Sequence, residues 1–212
     1  MRRKALDMII TVGGGCLVVV LLAAGALGLW GYHYANTNVH NQLAAQQIYF
    51  PAKAAFANAK VGTEIEPVMI PYIEKYAGEQ LLTGAQAEAY ADHFIAYHLQ
   101  EIGGGKSYAQ LSEAAMALPK GSPAATKAEA VVQTMFQGTT LRGLLLEAYA
   151  FWTIGQVSLW GAVVAFILAG LVLVFTLLGL WHYRRTNWDE QFPKSLSNGR
   201  VEKVETKELA TV

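Results

Sequence analysis

The amino-acid sequence predicts an all-α protein with two antiparallel transmembrane helices and an extracytoplasmic helical domain between them. Three observations support this fold class. Residues 155–183 contain no Lys, Arg, Asp or Glu, and an apolar run of that length is typical of a helix that crosses a membrane. A second uncharged run covers residues 8–32. The chain between the two runs has repeated helix-capping motifs and no sustained apolar–polar alternation that would indicate strands.

The charges beside the two runs predict the topology. Basic residues occupy positions 2–4, and Arg184 and Arg185 follow the second run. Because basic flanks are retained in the cytoplasm, both termini are predicted to be cytoplasmic, in a multi-pass protein of the inner (plasma) membrane. The predicted segments are a cytoplasmic N-terminus (1–7), transmembrane helix 1 (8–33), the extracytoplasmic helical domain (34–154), transmembrane helix 2 (155–183) and a cytoplasmic tail (184–212).

The charge balance and the cysteine content limit which binding partners and which disulfides the chain can have. The chain is 53% hydrophobic and 15% charged, and its 16 basic residues balance its 16 acidic ones. No excess charge therefore indicates nucleic acid as a partner. The predicted partners are the lipid bilayer and either another membrane protein or a second copy of the chain. The one cysteine, Cys16, lies inside the first apolar run, so disulfides cannot stabilise the domain between the spans.

Breakers and caps divide the segment between the spans. Uncharged polar residues follow the first span, and its helix is predicted to continue until Pro51. Residues 51–71 contain several breakers and are predicted to be mostly loop with short helical pieces. Thr83 and Gln86 form a capping box, which opens a helix that ends at the glycines 103–105. The predicted apolar face of this helix is Ala87, Ala91, Phe94, Ile95, His98 and Ile102.

Two further caps lead towards the second span. Ser107 repeats the capping box and opens a short helix. Ser122 precedes Pro123, a cap followed by proline at the first helical position, and this helix is predicted to end before Gly138. Apolar residues keep helical spacing from 139 to 183. One continuous helix is therefore predicted to run from the outside through the bilayer.

Small residues recur on one face of each predicted span. Close backbone approach favours contact between helices in a membrane, because lipid is as apolar as leucine. Setting Gly28 opposite Ala162 aligns the two stripes, although glycine and alanine are also simply common in spans. The stripe of the second span is Ser158, Ala162, Ala165, Ala169, Val172, Thr176 and Gly179, and that of the first is Gly14, Val18, Leu21, Gly25 and Gly28.

The histidines form no recognisable metal or catalytic site. His93 and His98 lie about 140° apart around a helix, which is unsuited to chelating one ion, and His98 is predicted to be a hydrogen-bonded core residue. His33 and His40 share a face but are separated by about 10 Å of helical rise, and His182 is interfacial. No metal ligand, catalytic residue or cofactor is predicted, and cofactor-binding residues remain unknown.

Other candidate features have structural interpretations. Glu88 and Asp92 lie one turn apart, and with Glu101 they are predicted to form a solvated face. Residues 103–107, GGGKS, lack the first glycine and the strand of a phosphate-binding loop, so a helix C-cap is the better interpretation. The aromatic residues could line a small-molecule pocket or, more often in such bundles, form the core. They are Tyr72, Tyr76, Tyr90, Phe94, Tyr97 and Tyr108.

Two stretches carry a resemblance. They are YADHFIAYHLQEIGGGKSYAQLSEAAM and TMFQGTTLRGLLLEAYAFW. In them the chain resembles two-span membrane proteins of actinobacteria-like, high-GC bacteria, for which no activity is known. The resemblance implies the two-span architecture and no site or reaction.

Three functional hypotheses follow. The first is a non-enzymatic accessory or interaction subunit of the bacterial cell envelope, favoured because no catalytic constellation is present. The second is a ligand-sensing module, since a helical domain between two spans is a common receptor arrangement. Its tail of 29 residues is too short for an output domain, so such a sensor would signal through a partner protein. The third, an enzyme, is the least supported.

Overall fold

The structure is a computed structural model that describes residues 3–185, and the side chains of 8–184. It is all-helical, with 80% of the described residues in helix, and no strand occurs within the described range; one isolated bridge joins Tyr49 and Gln80. The predicted all-α class is confirmed. The helices are α1 (Arg3–Gln46), α2 (Lys53–Ala57), α3 (Ile70–Ile73), a 3₁₀ turn (Glu74–Tyr76), α4 (Gly84–Tyr90), a π-helical turn (Ala91–Ile95), α5 (Ala96–Ile102), α6 (Tyr108–Met116) and α7 (Pro123–Arg185).

The two long helices have the length and composition of membrane spans. Met8–Gln46 of α1 and Pro123–Arg184 of α7 contain windows with mean hydropathies of 2.4 and 2.9. Large apolar side chains in these windows are exposed, and only 11% of each window is buried. The prediction of two long apolar helices is therefore confirmed. Most of the predicted tail, 184–212, lies outside the described residues.

Local sequence signals explain most helix ends. Both predicted capping boxes are present, at Thr83 with Gln86 and at Ser107 with Gln110. Helix α1 ends at Gln46, slightly before the predicted Pro51, because Gln47 turns the chain with a positive φ of 52°. The loop between α1 and α3 contains only the short helix α2, as predicted.

The helix that starts at Thr83 is not uniform, and one predicted core residue is exposed. A π-helical turn at Ala91–Ile95 separates α4 from α5. This extra residue per turn rotates the downstream face relative to a regular 3.6-residue helix. Ile102, which the regular spacing placed on the apolar face, is accordingly 45% exposed.

The predicted break at Gly138 is wrong. Helix α7 runs without interruption from Pro123 to Arg185, 63 residues, so the separate helix expected before 139 is its first part. Gly138 serves packing instead. A Cβ atom at this position would lie 2.5 Å from Leu99 Cδ2, so glycine allows α5 to approach α7 closely.

One apolar core joins the C-terminal part of α1, helices α2–α5 and the middle of α7. Leu43 of α1 and Leu145 of α7 are almost completely buried within it. Gly84, at the start of α4, packs so closely on Trp152 that a Cβ atom would overlap its side chain. The core residues are Val39, Leu43, Phe50, Phe56, Ile65, Met69, Ile73, Leu81, Ala87, Ala89, Ala91, Ile95 and Leu145.

The chain divides into two compact units. One comprises residues 25–164, and the other comprises the described parts of 1–24 and 165–212. All of the core just described belongs to the first unit. The segment boundaries predicted from sequence, at 33/34 and 154/155, stay predictions.

Candidate functional site

The stripes of small residues are where the two long helices touch. A Cβ atom added to Gly28 would lie 3.0 Å from Ala162 Cβ and 2.9 Å from the Ser158 carbonyl oxygen. At Gly155 it would lie 3.0 Å from Ala35 Cβ. Larger side chains at either glycine would force the helices apart, and close approach is what favours helix contact in lipid. The predicted contact of Gly28 with Ala162 is confirmed.

The other compact unit contains a similar contact. A Cβ atom on Gly14 would overlap Thr176 Oγ1, whose hydroxyl donates to the Val172 carbonyl at 2.7 Å. Among the described side chains of this unit, Val18 and Ala169 are buried, at 7% and 2% exposure. These residues belong to the two stripes predicted from the sequence.

A disulfide test follows from this contact. With Cys16 changed to Ser, a Gly28→Cys, Ala162→Cys variant is expected to crosslink within one chain under mild oxidation, because the Cβ atoms are within disulfide range after a small adjustment. The matched pair Gly28→Cys, Val164→Cys is expected not to crosslink, since Val164 is 53% exposed and off the stripe. Gel mobility under non-reducing conditions reports both. Equal crosslinking of the pairs, or none from the first, would contradict the contact.

One concave feature of the 25–164 unit lies between the C-terminal part of α1 and the middle of α7, in the region predicted to lie outside the membrane. We call it the outer groove, a cavity of about 330 Å³. Its floor consists of buried Val39 and Leu43. Its polar lining comprises Asn38, Gln42, Gln46 and Glu147, and its remaining lining comprises Tyr34, Leu144, Ala148 and Phe151.

The outer groove occupies the face of the helix pair that the core does not cover. Leu145 is completely buried, whereas the neighbouring Leu144 is 53% exposed and Phe151 is 44% exposed. Exposed apolar side chains continue from the groove towards the predicted spans, with Trp30 stacked on Tyr34 at a centroid distance of 5.5 Å. A sequence signal for this surface existed: amides recur every four residues at 38, 42 and 46 in a stretch without charges.

A buried carboxylate connects the loop before α3 to α5. Glu66 is 2% exposed. Its Oε1 accepts a hydrogen bond from the Gly62 N–H at 2.6 Å, and its Oε2 accepts one from the Tyr97 hydroxyl at 2.5 Å. Glu101 and His98, on the same helix as Tyr97, lie close enough to contribute to the lowering of the Glu66 pKa. The sequence did not indicate this cluster, because Glu66 lies in a loop without a motif.

These contacts set the ionisation of the two partners. The Gly62 N–H, followed by the Tyr97 hydroxyl, stabilises the carboxylate, so the pKa of Glu66 is lowered although desolvation opposes the shift. The same hydrogen bond, together with burial and the charges of Glu66 and Glu101, raises the pKa of Tyr97 to about 12. At neutral pH Glu66 is therefore ionised and Tyr97 is protonated, an arrangement that fixes the loop rather than moving protons.

The ionisation of Glu66 predicts an acid-sensitive contribution to stability. Because its folded-state pKa lies below the ordinary value of 4.5, the contribution is present above that pH and is lost as the pH falls through the folded-state pKa. Glu66→Gln is expected to flatten the acid side of a plot of unfolding midpoint against pH. Glu64→Gln, at an exposed neighbouring position, is the control and should follow the wild type. If the unfolding midpoint of Glu66→Gln fell with acid as steeply as that of the wild type, ionised Glu66 would not stabilise the fold.

A second polar link joins the π-helical turn to α7. Arg142 Nη2 donates to Asp92 Oδ1 at 2.6 Å, and both side chains are about a third exposed. Such a pair contributes at most about 1 kcal/mol. Arg142 Nε is buried without a hydrogen-bond partner among the described residues. Asp92, expected on a solvated face, is thus engaged between helices.

His93 and His98 pack against neighbouring residues of the fold. His98 Nδ1 lies 2.7 Å from the Phe94 carbonyl oxygen, a distance suited to an Nδ1–H donor, which agrees with the prediction of a hydrogen-bonded residue beside the core. His93 stacks on Tyr72 with ring centroids 3.6 Å apart. Across the described side chains, no group of three or more His, Cys, Asp or Glu residues could hold a metal ion.

The glycine-rich turn is a helix C-cap, as predicted. Gly104 and Gly105 have φ values of +57° and +76°, and the Gly105 N–H donates to the Gln100 carbonyl at 2.9 Å. This pattern caps the C-terminal end of α5 with its own backbone. A cavity of about 300 Å³ adjoins the turn and is lined by Tyr97, Gln100, Glu101, Gly104 and Gly105.

The aromatic residues divide between the two predicted roles. Four of them pack against the core: Tyr76, Tyr90, Phe94 and Tyr97. Tyr72 and Tyr108 are 47% and 37% exposed, so the core interpretation is wrong for these two. Tyr97 additionally lines the cavity beside the glycine turn.

Three comparisons with known proteins found no similar protein. No protein-family model matches the chain, and neither a curated protein nor a solved structure is similar to it. The resemblance to two-span membrane proteins of high-GC bacteria therefore stays a prediction.

Proposed function

We propose that this chain is an integral protein of the bacterial inner (plasma) membrane that serves as a non-enzymatic interaction subunit of the cell envelope. In this proposal α1 and α7 cross the membrane antiparallel to each other, with both termini in the cytoplasm and residues 34–154 outside. The contacts of Gly28 with Ala162 and of Gly14 with Thr176 support close pairing of the spans. The exposed apolar side chains around them support a lipid environment.

The observation that carries the interaction role is the outer groove. The apolar core covers one face of the α1–α7 pair. The opposite face is open, and Leu144 and Phe151 on it are 53% and 44% exposed. Grooves with a buried apolar floor and polar edges commonly receive a helix of a partner. No described residue is arranged as a nucleophile with a base, and the buried carboxylate of Glu66 is occupied by hydrogen bonds. The geometry therefore favours binding over chemistry.

A second candidate function is ligand sensing through a partner protein. The observation that favours it is the cavity of about 300 Å³ beside Tyr97 and Glu101, since it adjoins the Glu66 cluster that holds a loop in place. A ligand there would act on loop order through Tyr97.

Purification in mild detergent followed by ligand screening separates the two functions. An interaction subunit is expected to retain a membrane protein in fixed stoichiometry, either another copy or a different chain, and to show no change of melting temperature with small molecules. A sensor is expected to gain thermal stability from a small molecule, and Gln100→Trp, which fills the cavity, should abolish the gain. Recovery of a monomer with no bound protein would contradict the interaction role.

A further inference from the structure

We propose that a cavity between α5, the start of α6 and α7 binds a small organic carboxylate. We call it the cationic cavity, and its volume is about 410 Å³, within the size range of small-molecule sites. Lys106 and Arg142 line it, and no Asp or Glu belongs to its lining among the described residues. The inference goes beyond the proposed function, because this cavity and the outer groove share no lining residue.

The Arg142 head group has unused hydrogen-bond donors. A guanidinium carries several N–H groups, and the one hydrogen bond that Arg142 makes within the described residues runs from Nη2 to Asp92 Oδ1. Arg142 Nε is the one buried side-chain nitrogen or oxygen without a partner among those residues. Because buried polar groups are nearly always hydrogen-bonded, this donor requires an acceptor that the described residues do not supply.

A carboxylate in the cationic cavity supplies that acceptor. Its two oxygens match Nε and Nη1 of one guanidinium, the bidentate geometry that arginine offers to carboxylates. Solvent does not reach Nε in this structure, so the Arg142 side chain, which is 38% exposed, has to rotate to uncover it. Lys106 is exposed and forms no ion pair among the described residues, and its ammonium group adds a second positive charge.

The first turn of α6 adds to the positive potential of the cavity. The Ser107 hydroxyl caps this helix by accepting a hydrogen bond from the Gln110 N–H at 3.3 Å. The N–H groups of Tyr108 and Ala109 have no acceptor within the helix, and both residues line the cavity. The start of a helix favours a negative charge nearby, so the backbone and the two cationic side chains select the same kind of ligand.

The rest of the wall is apolar, which favours an organic acid over an inorganic ion. Leu99, Met135 and the Tyr108 ring contribute this part of the lining, and Met135 is 4% exposed. Arg142 precedes residue 155, the predicted start of the second span, by about 20 Å along α7. In the proposed topology the cavity therefore lies beyond the lipid head groups, and its ligand is a dissolved acid.

Nuclear magnetic resonance of the isotope-labelled full chain in mild detergent tests the proposal, with benzoate as the probe. The Arg142 Nε–H signal, assigned by its loss in Arg142→Lys, is expected to shift and to saturate with a Kd of about 1–10 mM. Acetate lacks the apolar ring and benzamide lacks the charge, so each is expected to bind about tenfold or more weakly. A site of this strength gives no thermal shift with micromolar ligand, so it is compatible with the interaction role.

Two matched pairs of variants locate the site. Lys106→Gln is expected to raise the Kd for benzoate about threefold or more, whereas Lys120→Gln, at an exposed position outside the cavity, is expected to leave it unchanged. Ala109→Trp fills the cavity from the exposed first turn of α6 and is expected to abolish binding. Ala114→Trp, exposed on the same helix outside the cavity, is the control and is expected to bind like the wild type.

The outcomes separate this inference from the proposed function. No saturable shift with benzoate, or equal binding of benzoate and benzamide, would overturn the carboxylate site. Equal binding of acetate and benzoate would overturn the organic ligand class. Benzoate binding that survives Ala109→Trp, or that Lys106→Gln and Lys120→Gln weaken equally, would place the anion elsewhere and overturn the assignment. Each of these failures leaves the interaction role standing, because retention of a protein partner tests that role separately.

Discussion

Replacing Ala148 with proline is expected to lower the free energy of unfolding by about 3 kcal/mol or more. Ala148 lies in the uninterrupted part of α7 and packs against the core. Proline there removes the helical hydrogen bond to the Leu144 carbonyl and pushes its ring against that carbonyl. The helix would kink within the region that carries Leu145 and Trp152 into the core, so packing would be lost in addition. Chemical denaturation in mild detergent, followed by tryptophan fluorescence, measures the change.

The control for this variant is the same substitution in the same helix. Ala124 is exposed and follows Pro123 in the first turn of α7, where a backbone N–H has no partner within the helix. Ala124→Pro is therefore expected to change the free energy of unfolding by less than about 1 kcal/mol. If Ala148→Pro were as stable as Ala124→Pro, the apolar core of the 25–164 unit would not depend on a continuous α7.

Truncating Leu145 to alanine is expected to cost about 2–5 kcal/mol. Its side chain is completely buried, at 0% exposure, at the meeting of α7 with the core. The cost combines the lost transfer of the side chain from water with the cavity that remains, and the long helices limit collapse of that cavity. The same denaturation experiment measures it.

Met116→Ala is the control for the Leu145 truncation. Met116 is 77% exposed at the end of α6, and exposed substitutions of this kind usually change stability by no more than about 0.5 kcal/mol. A Leu145→Ala effect of similar size would show that the core around α7 is not the one described.

Much of the fold could be predicted because its signals are local. The capping boxes at Thr83 and Ser107 involve residues three positions apart, and both are formed. The contact of Gly28 with Ala162 was predictable for a different reason: in a membrane, small residues at helical spacing are themselves the packing signal. Neither inference needed knowledge of the tertiary structure.

The predictions that failed concern features that have no local sequence signal. Gly138 looked like a helix breaker because the approach of Leu99 from α5, which explains the glycine, is a tertiary contact. The π-helical turn at Ala91–Ile95 has no local signature, so Ile102 was placed on the wrong face. At Gly138 tertiary packing overrides local propensity.

The polar features were the least predictable. Glu66 and Tyr97 are 31 residues apart, and Asp92 and Arg142 are 50 apart. Nothing in the loop sequence around Glu66 indicates that its carboxylate is buried. The outer groove depends likewise on which faces of α1 and α7 the core covers, although the amides at 38, 42 and 46 were visible in the sequence.

Reporter fusions test the proposed topology. In this topology the chain spans the membrane twice and its helical domain lies outside. Alkaline phosphatase, which is active only outside the cytoplasm, would be inserted at Gly121, an exposed turn with a φ of +77° between α6 and α7. Green fluorescent protein, which would report a cytoplasmic location, would be fused to each terminus in turn. Phosphatase activity from Gly121 and fluorescence from both ends are expected, because the basic residues at positions 2–4 and at 184 and 185 flank the predicted spans. An inactive phosphatase at Gly121 in a stable fusion, or phosphatase activity when that reporter is moved to either terminus, would contradict this topology.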